Sequence, residues 1–256
     1  MQGMLMAITR AVSPSMDACE LSYIDREIID ISQARAQHAA YEAALRELGV
    51  NVISLPAEPD FPDAVFVEDP AIVLDEIAIM TRTGAESRRG ESESIATTLE
   101  PYRELRWMHA PATLDGGDVM RAGRTLYVGR SARTSAAGIE QLAHHVEPFG
   151  YRVCTVEVHA CLHLKSACSY LGEGMVLVYR PWINTAAFED LRLIDAPDPE
   201  AVNVVRIENT VLVAEGFPRT AAIIEDLELQ VRTLDNSELR KAEGALTCCS
   251  LLFETY

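Results

Sequence analysis

A pair of short apolar runs joined by a tight turn, then a helical pattern, then a further extended run, recurs along this chain. The first pair is Ala71–Leu74 and Ile77–Thr81 around Asp75-Glu76, led in by Ala64–Val67 and followed by a helix near Glu91–Leu99 and a strand Leu105–His109. The second pairs Asp118–Met120 with Leu126–Gly129 through Ala122-Gly123-Arg124, ahead of a helix near Ser135–Val146 and a strand Arg152–Val158. The third pairs Cys168–Leu171 with Met175–Tyr179 through Gly172-Glu173-Gly174, ahead of a short helix near Thr185–Leu191. The fourth pairs Val202–Ile207 with Thr210–Ala214 through Glu208-Asn209, ahead of a helix Arg219–Leu227 and a strand Leu229–Thr233. A period of about 45 to 50 residues is that of a structural repeat, even though the residues themselves do not repeat.

The ends of the chain supply a fifth unit. Met4–Thr9 reads as a strand, Ser13–Ile31 as an irregular flap, Ser32–Leu48 as a helix and Asn51–Leu55 as a strand closed by Pro56. The helix is carried by Ala34, His38, Tyr41, Leu45 and Leu48 at three- and four-residue spacing, with Gly49 placed to end it. Leu246–Phe253 reads as a last strand. If the two terminal strands pair, five units close around a central channel in a propeller-like α/β architecture, and closure protects the sheet edges. No linker rich in Pro, Gly or Ser divides residues 1–256, so a single domain is expected.

Charge then narrows the function. With 39 acidic against 22 basic residues the net charge is −17, which disfavours a surface that tracks phosphates and favours cationic or neutral ligands. Nucleic acid is therefore excluded as a partner. No apolar run approaches the roughly 18 residues that span a bilayer, and Met4–Val12, interrupted by Arg10 and lacking a clear cleavage site, does not read as a leader. Of six cysteines, Cys154, Cys161, Cys168, Cys248 and Cys249 crowd the second half of the chain without the pattern of a secreted scaffold, which fits reduced thiols in the cytoplasm.

Several polar residues stand where a core has no need of them. Cys248 and Cys249 are adjacent in the apolar run Ala245–Phe253; on a strand they face opposite ways, so that one would be a reagent and the other packing, with two small buried hydrophobes as the plain alternative. Asp115 and Asp118 flank the paired glycines of Leu114-Asp115-Gly116-Gly117-Asp118, which read first as a tight bend. His163 lies between two leucines, where a satisfied core histidine is the plain alternative. His159, Cys161 and His163 alternate and with Cys168 form a weak zinc candidate, although the spacing matches no usual structural-zinc pattern. Arg88 and Arg133 each follow a hairpin, at matching places in successive units, which suggests side chains converging on one end of the ring.

Taken together, Phe66-Val67-Glu68-Asp69, Ser87-Arg88-Arg89, Leu114-Asp115-Gly116-Gly117-Asp118-Val119, Leu162-His163-Leu164-Lys165-Ser166 and Leu246-Thr247-Cys248-Cys249-Ser250 resemble the dimethylarginine dimethylaminohydrolases of the pentein, or guanidino-group-modifying, superfamily. Each segment alone is weak; five in the family's order are specific. The resemblance implies a five-bladed α/β propeller of pseudo-fivefold ββαβ units. It implies Cys248 as nucleophile, His163 as general acid and base, and Asp115 as the carboxylate partnering that histidine. Glu68 and Asp69 are implied at the guanidinium end of the substrate, Arg88 and Arg133 at its α-carboxylate, Asp63 at its polar end, and Leu21 and Ala242 as further binding positions. No cofactor or metal is required. The implied partner is a small-molecule methylated arginine, with a homodimer left open. The implied reaction is hydrolysis of dimethyl- or monomethylarginine to citrulline and an amine. An arginine deiminase using the same residues is the nearer rival, and a silent binder of arginine-like ligands the more distant one; a binder needs carboxylates but no nucleophile.

Overall fold

In the computed structural model, which describes residues 3–255, fifteen strands form five three-stranded sheets. The strands are β1 (Met4–Arg10), β2 (Asn51–Leu55), β3 (Ala71–Val73), β4 (Ile77–Met80), β5 (Glu104–Trp107), β6 (Val119–Ala122), β7 (Thr125–Arg130), β8 (Arg152–Glu157), β9 (Cys168–Gly172), β10 (Met175–Val178), β11 (Arg192–Asp195), β12 (Val205–Ile207), β13 (Thr210–Ala214), β14 (Gln230–Leu234) and β15 (Leu251–Thr255). The helices are α1 (Ile31–Glu47), α2 (Ser92–Leu99), α3 (Ala136–Val146), α4 (Pro218–Glu225) and the single turn α5 (Ser237–Arg240).

Every sheet has one plan. A first strand pairs antiparallel with a middle strand, and after a crossover a third strand pairs parallel with the middle one, as in β3-β4-β5 and β6-β7-β8. Middle strands such as β4 and β10 are buried at every position and correspondingly read Ile-Ala-Ile-Met and Met-Val-Leu-Val. The third strands are less buried, as in Glu104–Trp107, where half-buried Leu105 and Arg106 lie between exposed Glu104 and Trp107. The chain ends complete the fifth sheet. β15 pairs antiparallel with β1, from Met4 opposite Thr255 to Ile8 opposite Leu251, and α1 leads to β2, which runs parallel to β1. Asp30 caps α1 by accepting the Gln33 N–H at 3.0 Å, and Gly49 ends it at φ +84°.

Five apolar clusters hold the sheets together in cyclic order. Met6 and Ile8 of the β1 sheet share one with Ala78 and Met80 of β4. Ile77 and Ile79 share the next with Leu126 and Val128 of β7. Met120 and Tyr127 meet Val176 and Val178, Leu171 and Leu177 meet Val211 and Val213, and Leu212 and Leu234 return to Ala7 and α1. The first strands β15, β3, β6, β9 and β12 all contribute to one axial cavity of about 320 Å³, through residues such as Leu252, Val73, Met120, Tyr170 and Val205.

Three local expectations fail. Ala64–Val67 is a buried succession of turns, with Phe66 N donating to Asp63 O at 2.9 Å. Those residues carry the chain across one end of the sheets, where no neighbouring strand is available to pair with them. The strand β11 goes unrecognised in the sequence because Arg192-Leu193-Ile194-Asp195 is short and charged at both ends. The run at Leu246–Phe253 is not one strand: Thr247–Cys249 forms a 3-10 turn, and pairing begins only at Leu251.

Candidate active site

A second, narrow cavity of about 20 Å³ is lined by Glu20, Asp63, Phe66, Asp69, Arg88, Arg133, Leu162, His163, Ala242, Glu243, Gly244 and Cys248. Sequence-named residues from widely separated segments therefore meet there. Glu68 and Asp115 stand directly behind this lining, and Leu21 is half-buried in the flap against the apolar cluster around α1.

The turn Thr247–Cys249 decides which thiol can react. The Thr247 N–H donates to Asn203 Oδ1 at 2.9 Å, its hydroxyl donates to Glu68 Oε2 at 2.8 Å, and the Glu68 N–H donates to the Cys248 carbonyl at 3.2 Å. Cys248 is thereby turned to the cavity, while Cys249 is fully buried in the α1 cluster with its thiol 3.5 Å from the Ala245 carbonyl. The separation comes from a tight turn rather than from strand alternation. Burial, with Glu68 and Asp69 adding their negative charge, pushes the Cys248 thiol up to about 12. The group rests as a thiol and needs a cation beside it to ionise.

His163 is held from two sides. Its Nε2 is 3.0 Å from Asp115 Oδ2, and its Nδ1 lies 3.9 Å from Asp69 Oδ1. Asp115 is itself fixed by the Gly84 N–H, 2.7 Å from its other oxygen. Burial opposes charge on the imidazole, but the negative Asp69 and then the hydrogen bond to Asp115 outweigh it, and His163 is raised to about 9. It is an imidazolium at neutral pH. The paired glycines now have a specific purpose. A Cβ on Gly117 would lie 2.6 Å from His163 Nδ1, and one on Gly116 would lie 2.0 Å from the Glu68 carbonyl. The bend is glycine because the histidine and the Glu68 strap press against it.

Asp69 accepts the Gly117 N–H at 3.0 Å and an Arg88 N–H at 2.6 Å. Burial would raise it, but the charges of His163 and Arg88 overcome that and keep it ionised. Asp63 accepts the Glu20 N–H at 3.1 Å, and burial moves its carboxyl upward against the pull of Arg88. Glu68 is salt-bridged to Lys165, and both line the larger cavity.

The two arginines converge as their positions suggest, but in different states. Arg88 is 5% exposed and its donors are engaged by Asp69, Glu91 and the carbonyls of Asp63 and Phe66. Arg133 is half-buried, makes no ion pair among the described residues, and donates to the Ser22 hydroxyl at 3.1 Å.

The sequence reading notes Asp118 beside the paired glycines without giving it a role, and passes over Glu91 and Asn203. Asp118 is fully buried and accepts from Ser131, Thr134 and the Leu164 N–H, so it fixes the backbone beside His163. Its position beside the paired glycines is the signal that singles it out in the sequence. Glu91 and Asn203 carry none, since each acts through a partner distant in sequence or hidden by the fold. The zinc candidate does not assemble: Cys161 and Cys168 turn into the cluster around Met120, away from the Asp115 side of His163. Among the described residues, the one convergence with metal-ligand geometry is Asp69, Asp115 and His163. The mutual attraction of that imidazolium and its two carboxylates accounts for it.

Known proteins resemble this chain in sequence and fold. Residues 11–210 match the family model described as N,N dimethylarginine dimethylhydrolase, eukaryotic. The chain is 38% identical to an N(G),N(G)-dimethylarginine dimethylaminohydrolase of Pseudomonas aeruginosa over 88% of its length and 90% of the relative's. It is 37% identical to one of Streptomyces coelicolor over 96% and 95%. Among solved structures it is similar to the Pseudomonas aeruginosa enzyme as a cysteine-to-serine variant complexed with citrulline, with TM-score 0.92, 35% identity, and 97% and 98% of the two chains covered. It is also similar to a histidine-to-glycine variant of a dimethylarginine dimethylaminohydrolase that carries an adduct with S-methyl-L-thiocitrulline, with TM-score 0.93, 35% identity, and 97% and 99% covered. The N-terminal domain of the arginine dihydrolase ArgZ, 18% identical with TM-score 0.85, shares the fold. On the match of family model, relatives and fold, this chain belongs to the dimethylarginine dimethylaminohydrolase family of hydrolases, within the five-unit α/β pentein architecture.

Proposed function

We propose that the chain hydrolyses Nω,Nω-dimethyl-L-arginine and Nω-monomethyl-L-arginine to L-citrulline and the corresponding amine. The observation that carries this reading is the meeting of a cavity-facing thiol, an imidazolium and buried carboxylates in one narrow site. A guanidinium is delocalised and strongly hydrated, hence a poor electrophile; Asp69, with Glu68 behind it, offers the negative charge that draws it from water and fixes its plane. That cation also offsets the carboxylate field that holds the Cys248 proton in place. As the cation docks, the Cys248 proton leaves to solvent; the thiolate attacks the central carbon, the bond from that carbon to the methylated nitrogen breaks, and His163, already protonated, gives its proton to the departing amine. The product of this step is a covalent thiouronium. The neutral imidazole then takes a proton from water as the hydroxyl adds to the same carbon, and the carbon–sulfur bond breaks to leave citrulline and the thiol. Asp115 holds the ring in place throughout. At the far end Arg133, without a carboxylate partner of its own, meets the substrate α-carboxylate; Arg88 supports it, while Asp63, Leu21 and Ala242 surround the polar end.

These steps draw on the chain's own residues, the substrate and water. Among the described residues no helix is long and apolar enough to cross a membrane. The six cysteines are all unpaired, which supports a reducing compartment such as the cytoplasm. The cyclic packing of the five sheets supports one folding unit.

The test is release of citrulline and of amine, measured side by side from arginine and its monomethyl and asymmetric dimethyl forms. Stoichiometric amine and citrulline from the methylated substrates, with arginine turned over far more slowly, is the expected result. Preferential release of ammonia from arginine would make the chain a deiminase, and no citrulline from any of them would end the reading.

A further inference from the structure

The flap from Glu20 to Asp30 has no strand or helix, so its backbone donors must find partners elsewhere. Three of them converge on one side chain. The N–H groups of Ser22, Tyr23 and Ile24 donate to the Glu243 carboxylate at 2.9, 2.5 and 3.1 Å. Two residues of the same segment hold the far end of the flap: Lys241 Nζ donates to the Ile28 carbonyl at 3.1 Å, and Glu238 accepts the Asp30 N–H at 2.9 Å. Glu243 sits at φ +55°, a left-handed conformation that a glutamate adopts only under constraint, and it lines the active cavity beside Ala242 and Gly244. It also lines the apolar cavity of about 230 Å³ next door, together with Tyr23, Ile24 and Leu162.

The closed flap leaves about 20 Å³ above Cys248. That is room for about one water, whereas sites for small organic ligands hold roughly 300 Å³ or more. An amino acid substrate therefore enters only when the flap moves, and the flap moves only when those three hydrogen bonds are released. We propose that Glu243 is the latch of the active site: its carboxylate fastens residues 22–24, sets Leu21 over the substrate's polar end, and governs admission to Cys248. Glu243 is a positioning residue. It acts through the flap and takes no part in proton transfer. Its place five residues before the nucleophile puts latch and thiol in one connected segment. The neighbouring apolar cavity gives Tyr23 and Ile24 a surface to slide over as the flap opens. The proposal rests on the cavity being the substrate site, but its test need not.

The variants are Glu243→Ala, Glu243→Gln and Glu243→Gly, made in the full chain. Glu243→Gly removes the carboxylate and also relieves the left-handed backbone, so it separates a lost latch from a strained turn. Amide exchange of residues 22–24, followed by mass spectrometry, should quicken about tenfold or more in the Ala and Gly variants and less in Gln, which keeps one acceptor. Alkylation of Cys248 by iodoacetamide, read on its own peptide, should quicken in parallel. With methylated arginine, KM should rise while kcat stays within a few-fold. Flap exchange and Cys248 alkylation at the wild-type rates in both variants would overturn the latch; so would exchange quickened equally throughout the molecule, which would mean that Glu243 serves the fold. If the flap loosens as expected but the unaltered chain turns over no methylated arginine, the latch stands and the substrate assignment falls.

Discussion

Cys248 and Cys249 share a turn and differ in everything that governs thiol reactivity: one meets the cavity and the imidazolium side of His163, the other lies among Ala7, Tyr41 and Leu246. Cys248→Ala should abolish citrulline formation, whereas Cys249→Ala should keep most of kcat and lose roughly 1 kcal/mol of stability to the small cavity it leaves. The reverse pattern in steady-state assays would exchange the roles. The arginines separate in the same way. Arg133→Ala should raise KM for methylated arginine with little effect on stability. Arg88→Ala strips a buried cation from Asp69 and Glu91 and should cost about 3–5 kcal/mol in urea unfolding as well as activity. Equal stability of the two variants would contradict the burial seen here. His163 makes the stability itself depend on pH. Its native pKa, about 9, exceeds the ordinary value near 6.5, so the charged form stabilises the fold. That contribution is complete below about pH 6.5 and is lost as pH rises through about 9, at most ~3 kcal/mol over the interval. Urea midpoints at pH 6.5, 8 and 9.5 should fall for the native chain and fall less for His163→Gln.

Elements were legible in the sequence wherever local chemistry and burial agree. The 3.6-residue spacing of α1 was readable because one face of a long helix packs on the core, and the hairpins were readable because continuous apolar middle strands flank polar turns. What could not be read are segments whose form is set by partners remote in sequence. Ala64–Val67 is apolar like a strand yet has no strand to pair with, and Arg192–Asp195 is polar yet pairs with β10. The turn at Thr247–Cys249 is the sharpest example, because it is imposed by Asn203, whose amide spans the Lys165 carbonyl and both polar groups of Thr247. The same reason hid the supports of the site: His163, Cys248 and Asp115 stand out as residue types, but Glu91, Asn203 and Glu243 act only through geometry. Asn203→Ala should therefore lower kcat about tenfold or more by freeing the turn that aims Cys248, with substrate KM little changed and the fold retained. A kcat equal to that of the unaltered chain would mean that the Glu68 contacts alone hold the nucleophile.

At the scale of the molecule, the five sheets meet through five apolar clusters in cyclic order, and the first and last strands lie side by side with Met4 opposite Thr255. In such an arrangement no sheet is first. The place at which the chain begins is then a matter of connection rather than of packing, and moving it should leave the core as it is. A circular permutant that joins the present ends by a short flexible linker and opens between Gly123 and Arg124, an exposed turn between β6 and β7, tests this. It should unfold in a single cooperative transition, lose no more than about 1–3 kcal/mol from the altered loop closures, and keep kcat within a few-fold, because that turn contributes nothing to the lining of the active cavity. Opening instead between Ala245 and Leu246 leaves the same clusters in place but frees the segment that carries Thr247 and Cys248. That permutant should fold and lose nearly all activity. Two separate unfolding transitions in the first permutant would show that the sheets divide into independent units, and an active second permutant would show that the nucleophile does not need its turn anchored from both sides.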